Sequence, residues 1–282
     1  MITFIGTGLL GSNFVKAMLK KGQEVHVWNR TIAKARELEP FGAKVFDAVS
    51  EAVKGAERIH LTLSDDHAVD EILDQARPGF VPGLIIIDHT TTSTQGAVKR
   101  TEHWKKLGYT YLHAPVFMGP QNALESTGYM LVSGDQDVIK RQEGVLSEMT
   151  GKLLNFGEET NRAAGIKLLG NSFLLFLTAG LSDTLALAQA MNIPTSDLVS
   201  LFGHWNPGAL VPARLKRILE ADFDNPSWEL QMSRKDTRLM MEEAGAAKKH
   251  LAILPAIAAE MDKWIAKGYG HSDWTVIAKE NL

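Results

Sequence analysis

The sequence predicts an α/β protein: a doubly wound parallel sheet in the N-terminal half, then an all-helical C-terminal half, joined by one long helix. Three observations lead there. Strand-like and helix-like segments alternate up to about residue 158, strand patterns then stop, and one helical pattern runs unbroken from Thr160 to Met191. Alternation of that kind is what a parallel sheet covered on both faces requires. The expected domains are residues 1–158 and residues 159–282.

The strands are read in order. Ile2–Ile5 is a short apolar run, and Leu9–Lys21 has helical spacing and ends at Gly22. Val25–Trp28 is a second strand, Thr31–Leu38 a second helix, and Val45–Phe46 a weak third strand. Arg58–Leu63 and Leu84–Asp88 are clear strands, with the helical "DHAVDEILDQA" between them; Tyr109–Leu112 and Tyr129–Ser133 follow. Beyond the long helix, which Asn192 and Pro194 are suited to stop, helical patterns run at about 195–203, 209–221, 228–244, 248–267 and 272–280.

Composition narrows the class. The chain has 282 residues, 45% of them hydrophobic and 22% charged, and a net charge of -3. No Lys/Arg run or basic stripe is present, so nucleic acid is not an expected partner. The absence of cysteine rules out disulfides and thiolate chemistry and fits a reducing, cytoplasmic setting. The longest apolar run, Phe173–Leu181, is shorter than the roughly 20 residues a bilayer needs, so no membrane is expected. No H-E-x-x-H, paired histidine at metal spacing or Gly-x-Ser-x-Gly elbow occurs, and no metal is expected.

"FIGTGLLGSNF" places Gly6, Gly8 and Gly11 as GxGxxG between the first strand and the first helix. Gly6 permits the tight turn, Gly8 lets backbone approach a pyrophosphate, and Gly11 lets helix and strand pack closely. Thr7, Leu9 and Leu10 complete the loop, whose helix N-terminus offers free N–H groups to an anion. This is the phosphate cradle of a Rossmann domain. An acid after the second strand would bind the ribose hydroxyls of NAD, but "EVHVW" is followed by Asn29, Arg30 and Thr31. A forked guanidinium with two hydrogen-bonding neighbours suits a 2′-phosphate, so NADP(H) is expected over NAD.

With these motifs the chain resembles the β-hydroxyacid dehydrogenases, the group that contains 3-hydroxyisobutyrate dehydrogenase and glyoxylate/succinic semialdehyde reductases; imine reductases share the fold. "LTLSDDHAV" and "DHTTTS" are similar to the two strand-end loops that border the cofactor there. "GIKLLGN" resembles the catalytic helix with its G-x-K-x-x-x-N core, "WELQMSRKDTRLMMEEA" a segment with a cofactor-touching lysine, and "GYGHSDWTVIAKENL" the closing pattern. The segments occur in the family's order along almost the whole chain.

From spacing alone, Lys167 and Asn171 share a helix face at i,i+4, and the ordinary reading is a solvated lysine beside a satisfied amide. The resemblance implies more: Lys167 as general acid/base and Asn171 as its assistant in hydride transfer between nicotinamide and a small aldehyde, keto acid or β-hydroxyacid. Ala163, Ala164 and Gly170 would leave room for a ligand on that side. Leu63 and Ser64 at one strand end, and Thr91 at another, are candidates for the nicotinamide half, with helix capping as the plainer role. Asp65 and Asp66 read as caps. Lys235 would touch the cofactor by resemblance, and pairs with Asp236 otherwise.

The substrate loop departs from the family. "YLHAPVFMGP" stands where the family has D-A-P-V-S-G-G, so His113, Phe117 and Met118 replace Asp, Ser and Gly, while Gly119 remains. The expected substrate-binding set is Thr91, Phe117, Met118, Gly119, Lys167 and Asn171, with a bulkier and more apolar wall than the family's carboxylate-holding loop. His113 and His204 are structural or substrate-positioning. Two alternatives remain: an imine reductase on the same fold, and a catalytically silent NADP-binding scaffold. The long helix is too apolar for one exposed surface, so a homodimer or homotetramer is expected.

Overall fold

The computed structural model describes residues 1–282. The chain divides into two compact units, Met1–Asn171 and Ser172–Leu282, the division falling inside one helix. The first unit runs β1 (Ile2–Ile5), α1 (Leu9–Lys20), β2 (Val25–Trp28), α2 (Ile32–Arg36), β3 (Lys44–Val45), α3 (Val49–Ala52), β4 (Arg58–Leu61), α4 (Asp66–Ala76), β5 (Ile85–Asp88), α5 (Thr94–Lys106) and β6 (Thr110–His113). It continues through β7 (Val116–Phe117), α6 (Pro120–Glu125), β8 (Tyr129–Val132), α7 (Gln136–Ser147), β9 (Lys152–Asn155) and the start of α8 (Arg162–Ala190).

Six strands form one parallel sheet in the order β3-β2-β1-β4-β5-β6. Strand order reverses at β1, where β1 and β4 lie side by side with Ile5 opposite Leu61. A crevice opens at such a switch point beyond the carboxyl ends of the strands, and ligands of doubly wound sheets bind there. The central strands read as continuous apolar runs because helices cover both faces: every residue of β1 is buried. One core lies between the sheet and α1 with the α6–α7 region, built around Phe4, Phe14, Val27 and Met130. The other lies under α3 to α5, built around Ile59, Leu61, Leu73 and Trp104.

The strand expected at Tyr129–Ser133 forms, but in a separate sheet of order β7-β8-β9. Its β7–β8 pair is antiparallel, which needs no long crossover, and the short α6 suffices to connect them. Helices α5 and α7 carry no clean apolar stripe in the sequence, because Arg100 and Gln142 are among their buried residues.

The second unit contains the remainder of α8, then α9 (Thr195–His204), α10 (Val211–Leu219), α11 (Leu230–Ala246) and α12 (Leu254–Trp264). Asn192 adopts φ 55° and ends α8 in the left-handed conformation. The pattern at 248–267 starts as a helix only at Leu254, because Asp183 on α8 accepts hydrogen bonds from the N–H groups of Ala252, Ile253 and Leu254 and so caps α12 from a distance. Phe223, Leu230, Met261, Trp264 and Val276 form the small core. Asp273 is fully buried and its carboxylate takes Ser227, Thr275 and Arg217 as partners, holding the C-terminal segment in place.

Helix α8 has 29 residues, and a window of it with mean hydropathy 1.5 is only 6% buried. By length and composition alone this helix is long and apolar enough to cross a membrane, although its longest uninterrupted apolar run is shorter than a span.

Candidate cofactor and active site

The loop after β1 is shaped by its glycines. Gly6 adopts φ +92°, and a side chain there would fall on the Thr62 carbonyl. A Cβ on Gly11 would fall on the Gly6 carbonyl and lie 2.5 Å from Thr62 Oγ1, so α1 can approach β1 and β4 only without one. Gly8 is different: nothing lies within 4 Å of its would-be Cβ. Open space at that position is what a ligand's phosphate needs. Helix α1 begins with no side-chain cap and no acid in its first turn, which leaves its N–H groups to an anion. Thr7 Oγ1 is buried without a partner beside this cradle. An orphaned hydroxyl, an open glycine and an uncapped helix together fit a dinucleotide's pyrophosphate. Leu9 stands exposed at the rim and Leu10 is half-buried against the core.

At the end of β2, Asn29 Oδ1 accepts from the Thr7 N–H at 3.0 Å, and its amide nitrogen donates to the Thr31 carbonyl at 2.8 Å. Asn29 therefore ties the two loops together. Arg30 is exposed and forms no ion pair. Thr31 precedes α2 without capping it, so its hydroxyl is not committed to the helix.

The loops after β4 and β5 are clamped by a network that the sequence reading missed. The Leu63 N–H donates to Thr90 Oγ1 at 2.9 Å, and the Thr90 N–H donates to Asp88 Oδ1 at 2.8 Å. Asp66, besides following the Asp65 cap, accepts from the Ser93 N–H at 2.8 Å and from Arg100 at 2.6 Å. Arg100 also donates to Tyr111, whose hydroxyl donates to Asp88. Ser64 and Thr91 both stand exposed on these braced loops; the caps of α4 and α5 are Asp65 and Ser93. The signal that could have found the clamp is the polar run "DHTTTS" directly after four apolar residues.

Three buried histidines complete the brace. His89 Nδ1 donates to the Ala114 carbonyl at 2.8 Å, so its Nε2 accepts from His60 Nδ1 at 2.9 Å, and His60 Nε2 accepts from Arg58. His113 Nε2 donates to the Thr90 carbonyl at 2.8 Å, while its Nδ1 is buried without a partner. Burial holds all three neutral: His89 is lowered to about 4, His60 is lowered well below the usual imidazole value and His113 is also lowered. His204 stays exposed, bonded to the Ser200 carbonyl of its own helix at 2.8 Å.

On α8, Lys167 Nζ donates to Asn171 Oδ1 at 2.9 Å and lies 4.3 Å from the centroid of the Phe117 ring. Burial lowers the amine's pKa, and no neighbouring charge adds to the shift. The ring fills the place that Gly170 was expected to keep open, since a Cβ there would fall on Phe117 Cζ. Ala163 and Ala164 are fully buried. Their small size admits protein rather than leaving a cavity. Met118 turns into the main core, and Gly119 is exposed with its N–H donated to Asn122 at 2.9 Å. In the second unit Lys235 pairs with Asp236 at 2.5 Å.

The family model for the NAD binding domain of 6-phosphogluconate dehydrogenase matches residues 1–157. The chain belongs to this β-hydroxyacid dehydrogenase-like, nicotinamide-binding family. It is 24% identical over 288 residues to the uncharacterized oxidoreductase YfjR of Bacillus subtilis, covering 99% of this chain and 98% of that one. It is 23% identical over 284 residues to 3-sulfolactaldehyde reductase of Escherichia coli, covering 99% and 95%. It also matches N-PAC of Drosophila melanogaster at 26% over 286 residues, but spans only 46% of that protein. The imine reductase of Myxococcus stipitatus in complex with NADP+ superposes with a TM-score of 0.92 at 22% identity, covering 100% of both chains, which shows the fold.

Proposed function

We propose that this chain is an NAD(P)-dependent oxidoreductase that moves a hydride between nicotinamide and a carbonyl or hydroxyl carbon, with Lys167 as its general acid/base. The observation that carries the reading is the Lys167–Asn171 pair. An amine held at 2.9 Å by an amide oxygen and shifted toward neutrality by burial is equipped to give or take a proton.

Nicotinamide, when bound, supplies or accepts the hydride. The rest falls to the chain. In the reducing direction negative charge develops on the substrate oxygen, and the ammonium of Lys167 donates a proton to it. The amine left behind is neutral, a state its burial favours, and it regains a proton from solvent. Asn171 keeps Nζ in place through both states, since its amide can accept from an ammonium and donate to an amine. The clamp on the β4 and β5 loops holds Leu63, Ser64 and Thr91 rigid for the nicotinamide half. A small aldehyde, keto acid or β-hydroxyacid is the substrate class, the kind of chemistry named for the 3-sulfolactaldehyde reductase relative.

NADP(H) is the preferred cofactor in this reading, because Arg30 is exposed, carries no ion pair and stands where NAD-specific sites need an acid. The protein works in the cytoplasm as a homodimer or homotetramer, whose second copy covers the apolar surface of α8. Asp183 supports a soluble setting, as a buried carboxylate mid-helix that caps another helix of the same unit. The deciding experiment compares wild type with Lys167→Ala in NADPH oxidation over aldehydes, keto acids and cyclic imines. The variant should lose at least about a hundredfold in kcat while still binding NADPH. Unchanged turnover would remove Lys167 from the chemistry, tight NADPH binding without turnover in wild type would indicate a silent scaffold, and turnover confined to imines would indicate an imine reductase.

A further inference from the structure

Around its ammonium, Lys167 has an amide oxygen, a phenyl face and no second charge. Asn171 lies at 2.9 Å and the Phe117 centroid at 4.3 Å. No charged neighbour contributes to the acidity of the amine. The ring is built into the fold on two sides. Gly170 must lack a side chain to admit it, and the Phe117 backbone is paired in the β7–β8 ladder opposite Tyr129.

Three of the places from which this segment could turn a donor toward an anion have none to offer. Phe117 has no hydroxyl, the Gly119 N–H is donated to Asn122 Oδ1 at 2.9 Å, and Pro120 has no N–H. A carboxylate brought beside Lys167 would meet the electron-rich face of the ring. It would also ion-pair with the Lys167 ammonium and hold the proton that carbonyl reduction needs.

We propose that Phe117 sets the substrate class of this site: an aldehyde or ketone whose reacting carbonyl sits on an uncharged, apolar body, with carboxylate-bearing carbonyls disfavoured. This rests on the reductase reading above and narrows its substrate class to uncharged carbonyls, setting the keto acids and β-hydroxyacids behind them. The reaction balances as written there: hydride from the reduced nicotinamide to carbonyl carbon, proton from Lys167 to oxygen, the cofactor oxidised and the carbonyl reduced to an alcohol.

The test pairs succinic semialdehyde with 4-methylpentanal, in which an isopropyl group replaces the carboxylate. Wild type loaded with NADPH should favour 4-methylpentanal in kcat/KM by at least about tenfold, and Phe117→Ser should lower that ratio at least about fivefold, chiefly through KM of the semialdehyde. Phe117→Leu, which keeps the wall apolar, should keep the preference. A wild-type preference for succinic semialdehyde, or a ratio that Phe117→Ser does not move, overturns the proposal. If no protein reduces either aldehyde, the reductase reading falls. The role of Phe117 is then decided by titrating the NADP+-loaded protein with 4-methylpentanol and with 4-hydroxybutyrate. Tighter binding of the alcohol without charge upholds it, and tighter binding of 4-hydroxybutyrate overturns it.

Discussion

The two units treat their surfaces in opposite ways. In Met1–Asn171 the apolar strands are covered on both faces, and most of the buried polar side chains are bonded within the unit: Asp88 to Tyr111, Tyr111 to Arg100, Arg100 to Asp66, His89 to Ala114. In Ser172–Leu282 a small core sits beside a long apolar surface. Phe173, Leu174, Leu175, Phe176 and Leu177 are consecutive on α8 and all exposed, and Leu201, Phe202, Trp205 and Leu215 add to them. Consecutive helical residues point in all directions, so exposure of five in a row means that no side of this stretch is covered by its own chain. Patches this extended mark interfaces. The contrast teaches that the nucleotide-binding half covers its own apolar surface, whereas the helical half leaves a long apolar surface open, which the proposed second copy would cover.

Predictions sharpen or break that contrast. The largest effect is expected from Gly11→Ala. Its Cβ would fall on the Gly6 carbonyl, so the first unit should lose roughly 3 kcal/mol or more of stability, read as a drop in Tm. Gly8→Ala meets nothing within 4 Å and should leave Tm in place while weakening NADPH binding. Equal Tm loss for both would show that the loop is a packing device only. Next, Leu175→Glu, at a site that is 70% exposed, should weaken self-association by about a hundredfold or more in sedimentation, without unfolding the chain. A wild-type protein that sediments as a monomer would end the contrast itself.

A smaller effect comes from acid. Burial depresses His89 from 6.5 to about 4 in the folded unit, so as pH falls below 6.5 the unfolded chain takes up a proton that the folded one refuses. The stability associated with this group is complete above 6.5 and falls away between 6.5 and about 4, by on the order of 2–3 kcal/mol, with His60 and His113 acting in the same direction. Thermal melts of the NADPH-free protein across that range check it, and a flat profile would show that these imidazoles titrate normally. The smallest effect is Arg30→Ala, which should weaken NADPH binding by about tenfold and leave NADH binding unchanged. Equal loss for both cofactors would remove the 2′-phosphate role.

What the sequence by itself determined was local. The tight turn at Gly6 and the helix–strand contact at Gly11 could be read because each acts within a few residues of the motif. Lys167 and Asn171 could be paired because i,i+4 on a helix fixes their neighbourhood whatever surrounds it. The apolar excess of α8 was likewise written in its composition. What only the tertiary structure decided was which distant side chains meet. Phe117 and Lys167 are fifty positions apart, and their meeting depends on β7 leaving the main sheet for a second one, which no periodicity announces. The Asp66–Arg100–Tyr111–Asp88 chain and the His60–His89 pair join separate strands and helices in the same way. Backbone propensity and apolar period act along the chain, whereas a buried polar pair is chosen by desolvation. Once water is excluded each donor needs an acceptor, and the fold, not the neighbouring residues, supplies it.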